Sequence, residues 1–201
     1  MKKLFMLIIV NVALAVYSVL FGWYPQISLF DATCYRILYL HVPMAWNMYF
    51  AFTLTLIFSI AYLLKENEKY DKIAFCSAVL GILYGFGAIT SGMLWANEVW
   101  GSYWNWDPRQ TATLMALLAY IGYIALRESI PDVERSRTIS AVFGVSAYVT
   151  IPISYLSAVA FRSLHEQLPH QPLSFESYVL LALNVVTSFA VFIALLKEFS
   201  R

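Results

Sequence analysis

Long apolar runs separated by short polar breaks dominate the chain. Six of them are long enough to cross a hydrocarbon core of roughly 30 Å, which takes about 20 helical residues: Leu4–Phe21, Pro43–Leu64, Ile73–Trp95, Pro108–Leu126, Ile139–Ala160 and Ser177–Leu196. None alternates apolar with polar as the strands of a membrane barrel do, and irregular backbone cannot face lipid, so the runs predict helices. The breaks carry charge and turn formers, as in "KENEKYDK", "RESIPDVERSR" and "LPHQPLS". No internal repeat interrupts the series. The expected fold is therefore an all-α integral membrane protein, residues 1–201 forming a single domain of six transmembrane helices.

Composition agrees with that solvent. Of 201 residues 61% are hydrophobic and 12% charged, far from a soluble domain. The net charge of +1 gives no reason to expect nucleic acid. Basic residues matter by placement: Lys2, Lys3, Lys65, Lys69, Lys72, Arg127, Arg135, Arg137, Lys197 and Arg201 fall at one set of span ends, and only Arg36, Arg109 and Arg162 at the other. The richer side is cytoplasmic, which puts both termini in the cytoplasm. The first run resembles a signal segment and includes Ala13-Leu14-Ala15, but it continues to Phe21 and is expected to stay as an anchor.

All three histidines, His41, His165 and His170, fall on the outer side, level with "WGSYWNWDPRQ" (Trp100 to Gln110). In that stretch Asp107-Pro108-Arg109-Gln110 has the form of a helix start: Asp as N-cap, Pro at the first helical position, and Gln reaching back as in a capping box. Pro43 likewise suits a first helical position, which sets His41 just before the second span. The tryptophans fit an interfacial belt. Yet Trp95, Trp100, Trp104 and Trp106 are four of the six in the chain, crowded into one loop and its flank, an arrangement suited to a large flat apolar ligand.

Two imidazoles make a poor zinc site, which wants three or four protein ligands. Haem needs only axial ligands, and its propionates suit guanidinium forks. Cys34 and Cys76 lie at opposite sides of the membrane and neither belongs to a C-x-x-C, so thiol oxidoreduction and covalent haem carriage are not expected. No catalytic constellation and no phosphate-binding loop is evident. Gly81 and Gly85 in "GILYGFG" suit close helix packing. A transporter for another solute would carry ionisable residues within its spans, and the centres of these lack them.

"WGSYWNWDPR", "LHVPMAWNMYFAF" and "IPISYLSAVAFRSLHEQ" resemble the tryptophan-rich haem-handling proteins of cytochrome c biogenesis, and most of all their C-component branch, haem exporter protein C (CcmC). The resemblance implies axial haem ligands at His41 and His165, a stacking platform at Trp100, Trp104 and Trp106, and further contributions from Asp107, Trp95, Arg36 and Arg109; His170 has no counterpart. It also implies haem b held at the outer face of the inner membrane, delivery to the haem chaperone CcmE, and work alongside the small membrane protein CcmD and the ABC transporter subunits CcmA and CcmB, without enzymatic chemistry by this chain. Tyr103 and Pro108 are spelled more like the cytochrome c synthase (CcsA) branch, a haem lyase. Length and the lack of a second histidine pair favour the C component.

Overall fold

The computed structural model describes residues 2–24, 32–165 and 173–201, and all regular structure among them is helical. Helix α1 is Lys2–Phe21, and a 3₁₀ turn, Ala32–Ile37, leads directly into α2, Leu38–Lys65. Then follow α3 (Glu68–Trp100), α4 (Pro108–Ser129), α5 (Val133–Ala147), α6 (Thr150–Ala160) and α7 (Phe175–Phe199). Among the described residues five helical segments are long and apolar enough to cross a membrane: Lys2–Phe21, Thr33–Lys65, Glu68–Trp100, Val133–Ala160 and Phe175–Phe199. The chain is thus a multi-pass membrane protein. The expected span Pro108–Leu126 is present as α4, 22 residues long, but Thr111, Thr113, Tyr120 and Tyr123 along it and charges near its ends leave it less apolar than the other five.

Two boundaries differ from the sequence expectation. Pro43 lies inside α2 rather than at its start, so His41 belongs to the helix and not to a loop before it. A proline near a helix start forfeits one hydrogen bond; here the 3₁₀ lead-in and the burial of Tyr35 and Tyr39 hold the segment helical nonetheless. The expected continuous span Ile139–Ala160 is broken at Tyr148–Val149 into α5 and α6. Pro152 has no N–H for the Tyr148 carbonyl and its ring crowds that group. The carbonyl instead accepts from Ile151 N at 2.9 Å, a tighter turn that offsets the two pieces.

The α2–α3 hairpin is the central wall. It turns at Glu66 (φ 50°), whose N–H bonds Tyr62 O at 2.7 Å, and at Asn67, which caps α3 by accepting from Lys69 N at 2.9 Å. On one side Met48, Phe52 and Ala78 pack with Ala116, Tyr120 and Tyr123 of α4 and with Ala147 and Ile151; the Phe52 and Tyr120 rings stack at 3.6 Å and 10°. On the other side Ala51, Cys76 and Leu80 pack with Phe192 and Leu196 of α7. The glycines do what their spacing suggested: a Cβ at Gly81 would come within 2.5 Å of the Phe52 ring, and one at Gly85 within 2.9 Å of Leu117. Lipid offers apolar side chains as good a solvent as each other, so close fit of small residues and interhelical hydrogen bonds hold such a bundle.

Helix α1 is peripheral, with Ser18 its one buried residue. A polar seam fastens it: Asn11 Nδ2 donates to Thr187 Oγ1 at 3.0 Å and Asn184 Nδ2 to Ser18 Oγ at 2.8 Å, while Asn47 Nδ2 donates to Ser188 Oγ at 2.8 Å. At one end of the bundle the buried Asp71 accepts a bidentate pair from Arg127, both distances 2.6 Å, with Arg137 at 3.5 Å. Arg137 also pairs with Glu68 and Glu134. The tryptophan loop and His41 lie at the other end of the same helices.

Candidate functional site

The site is built around the start of α4. Helix α3 ends at Gly101, whose φ of 74° suits glycine and whose N–H bonds Asn97 O at 2.9 Å. The loop that follows is pinned locally: Ser102 Oγ donates to Trp104 O at 3.0 Å and Asn105 Nδ2 to Ser102 O at 3.0 Å. Asp107 is the N-cap of α4, as its sequence context requires, and Oδ1 accepts from Arg109 N at 2.9 Å and Gln110 N at 3.3 Å. Gln110 reaches two residues beyond the N-cap N–H that a capping box would use, accepting from Asn105 N at 3.2 Å.

The four tryptophans form two edge-to-face pairs, Trp95 with Trp100 (5.0 Å, 82°) and Trp104 with Trp106 (5.9 Å, 88°). Trp106 has φ 53°, the left-handed region that a bulky residue enters at a cost of order 1–3 kcal/mol and that clusters at functional sites. The consequence is an indole turned outward, 75% exposed. The cavity beside Trp95, lined by Cys34, Ile37, Leu94, Glu98 and Tyr103, holds about 130 Å³. Pockets that enclose drug-sized ligands run to about 300–1,000 Å³, so this cavity, lined by described residues, is too small to enclose a large ring.

His41 leans on α3. Its Nδ1 lies 3.0 Å from Ala88 O and 3.1 Å from Ser91 Oγ, and the Ser91 hydroxyl itself donates to Gly87 O at 2.6 Å. A carbonyl only accepts, so Nδ1 carries the proton and Nε2 keeps its lone pair, the arrangement that fixes a metal-binding imidazole. Gly92 makes the approach possible: a Cβ there would stand 3.1 Å from His41 Cε1. Nothing in the spacing of the sequence marks Ala88, Ser91 or Gly92 for this work, because they lie on a different helix.

His165 comes from the loop after α6. Asp107 draws that loop in: Oδ2 accepts from Ser163 Oγ at 2.8 Å and from Leu164 N at 2.6 Å, and His165 N donates to Ser163 Oγ at 3.0 Å. Burial first, then the positive charges of Arg109 and His41, push the His165 imidazole from 6.5 down to about 4, against the pull of Asp107. His41, Arg109, Asp107 and His165 therefore share one neighbourhood. Arg109 also sits 5.7 Å above the Tyr155 ring. Arg36 is engaged elsewhere: its Nε donates to Gly22 O and its Nη1 to Leu20 O, both at 2.6 Å, and the guanidinium covers Tyr24 at 4.7 Å, closing the end of α1. His170 lies outside the described residues.

Among the described residues no three His, Cys, Asp or Glu side chains gather as a bare ion would need. His41 and His165, two nitrogen donors near the start of α4, are by their chemistry suited to a porphyrin, which brings its own equatorial nitrogens.

The family described as Heme exporter protein C matches residues 1–199 of the chain. Relatives bearing that name include those of Bradyrhizobium diazoefficiens, 32% identical over 65% of this chain, and of Rhodobacter capsulatus and Escherichia coli strain K12, each 29% identical over 73% of it. The aligned parts cover 50%, 60% and 59% of those relatives' own lengths, so the chain spans about half to three fifths of each. Since the match to the family extends through all seven helices and both segments of the candidate site, this chain belongs to the heme exporter protein C family.

Proposed function

We propose that the chain binds haem b at the outer face of the cytoplasmic membrane and promotes its transfer to the haem chaperone CcmE during cytochrome c maturation, alongside CcmD and the ABC subunits CcmA and CcmB. The observation that carries the reading is the hydrogen bond from His41 Nδ1 to the Ala88 carbonyl, which holds the ring in the tautomer with Nε2 ready to ligate iron. Haem supplies an iron with two axial positions free. His41 and His165 would fill them as neutral ligands, the Trp100, Trp104 and Trp106 indoles would cover the macrocycle face with Trp95 behind them, and Arg109 would meet a propionate. Arg36, committed to the end of α1 through Gly22 O and Leu20 O, would contribute by fixing the 3₁₀ turn that leads into the His41 helix. Supporting the orientation, ten of the 13 basic residues fall on the side opposite the tryptophans if α4 also crosses, which favours cytoplasmic termini.

The test is spectroscopic. Purified with haem, the protein should give a six-coordinate low-spin spectrum, and His41→Ala and His165→Ala should each abolish it; unchanged spectra in both variants would remove the ligand assignment. Expression with an apocytochrome bearing C-x-x-C-H and no other maturation protein should yield no covalent haem. Covalent product there would move the chain to the synthase branch.

A further inference from the structure

Asp107 accepts four hydrogen bonds among the described residues, and they divide cleanly. Oδ1 takes Arg109 N and Gln110 N, fixing the start of α4 and with it the tryptophan loop; Oδ2 takes Ser163 Oγ and Leu164 N, 56 and 57 positions away. Asp107 is 3% exposed, so these bonds form away from competing water and the charge strengthens each. The Ser163 hydroxyl that donates to Oδ2 also accepts the N–H of His165. A relay therefore runs from the backbone of His165 through Ser163 to Asp107. Among the described residues of that loop, Phe161, Arg162 and Leu164 are all exposed.

We propose that Asp107 and Ser163 form a clamp that couples the two halves of the site: Oδ1 holds the shelf, Oδ2 holds the segment bearing His165, and the site opens by loss of the Oδ2 contacts while the α4 cap stays intact. Ser163 is a positioning residue, acting through His165 and not by touching haem. The inference rests on His165 being an axial ligand. It adds where the ligand lets go: the cap has its own two donors, so the loop can leave without unwinding the helix.

Two variants separate clamp from cap. Ser163→Ala removes the relay and leaves the cap untouched. Asp107→Asn retains a good N-cap residue but has only one carbonyl oxygen, so capping and clamping cannot both be satisfied. In the full-length, haem-loaded protein, both should convert part of the low-spin ferric spectrum to high-spin and speed haem loss to excess apomyoglobin about tenfold, as expected for a lost hydrogen bond to a charged acceptor. Thermal unfolding should be close to that of the parent, and Ser163→Thr, which keeps the hydroxyl, should restore the parent's spin state and rate. Haem loss and spin state unchanged in both variants would overturn the clamp. If the parent shows no His165-dependent spectrum, the ligand reading fails by itself. Hydrogen exchange of the haem-free protein over residues 161–165 then decides the clamp separately: faster exchange in Ser163→Ala upholds it, and equal exchange refutes it.

Discussion

At His41 a single glycine on the neighbouring helix decides how the imidazole sits. With a methyl at position 92 the ring would have to yield a few tenths of an ångström, since Cε1 would be 3.1 Å and Nδ1 3.5 Å from it, and the bond from Nδ1 to Ala88 O would stretch. Gly92→Ala nevertheless improves helix propensity by about 1 kcal/mol. The expected outcome is a protein at least as stable to heat as the parent that loses haem several-fold faster; a variant holding haem like the parent would show that the ring position is not critical. His165 gives a pH expectation. Its ordinary value of 6.5 falls to about 4 in the fold, so as pH drops through that window the unfolded chain takes up a proton and the folded one does not. Stability should be full above 6.5 and decline as pH falls toward 4. The folded ring stays neutral, so a ligating His165 should keep the low-spin spectrum at about pH 5.5, where an ordinary imidazole is mostly protonated. Loss of that spectrum at pH 5.5 by His165 protonation, followed by NMR of the ring, would contradict the burial derived for it.

At the scale of helices, the intramembrane asparagines and the ion-pair cluster do different things. Asn184 ties α7 to α1 through Ser18, and an interhelical hydrogen bond in a bilayer is worth on the order of 0.6–2 kcal/mol. Asn184→Leu should therefore loosen α1, seen as faster exchange or crosslinking of that helix, with little change in the α2–α3 hairpin; equal protection of α1 would mean that other contacts hold it. Removing Asp71 leaves Arg127 and Arg137 facing a vacated, buried position, and breaking such a pair costs about 3–5 kcal/mol. Asp71→Ala should lower stability much more than Asn184→Leu, measured by denaturation in detergent. These elements also mark what the sequence can disclose. The α4 cap was legible because Asp107, Pro108 and Gln110 lie within one turn, and the close-packing glycines because they face their partners at helical spacing. Pro152 stands inside the fifth apolar run, but whether a proline there bends or breaks a helix depends on the turn that Tyr148 and Ile151 can form. Pro43 pointed to a helix start only as long as the packing of Tyr35 and Tyr39 was unknown. The Ser163 contact to Asp107 spans 56 positions and leaves no periodic trace, and the use of Arg36 to close α1 depends on how the chain returns after Phe21.

For the whole molecule, the topology turns on α4. Every other long helix is apolar enough to cross by itself, whereas α4 has polar side chains along a face that packs against α2, α3 and the α5–α6 pair. Tyr120 and Tyr123 on that face are fully buried, so their hydroxyls never meet lipid; protein neighbours solvate the helix where hydrocarbon would not. On that argument we propose that α4 is a crossing despite its composition; the sides of everything else follow from it, because an uncrossed α4 would send the two segments of the site to opposite faces. Single cysteines introduced before and after it, Tyr103→Cys and Ser129→Cys, in a background with Cys34 and Cys76 replaced by serine, read the outcome directly. In intact cells with a permeable outer layer, a membrane-impermeant maleimide should label position 103, and position 129 only after the cytoplasmic membrane is breached. Labelling of both from outside would place α4 on the surface, and labelling of 129 alone would invert the bundle, setting the tryptophans in the cytoplasm and ending the outer-face haem reading.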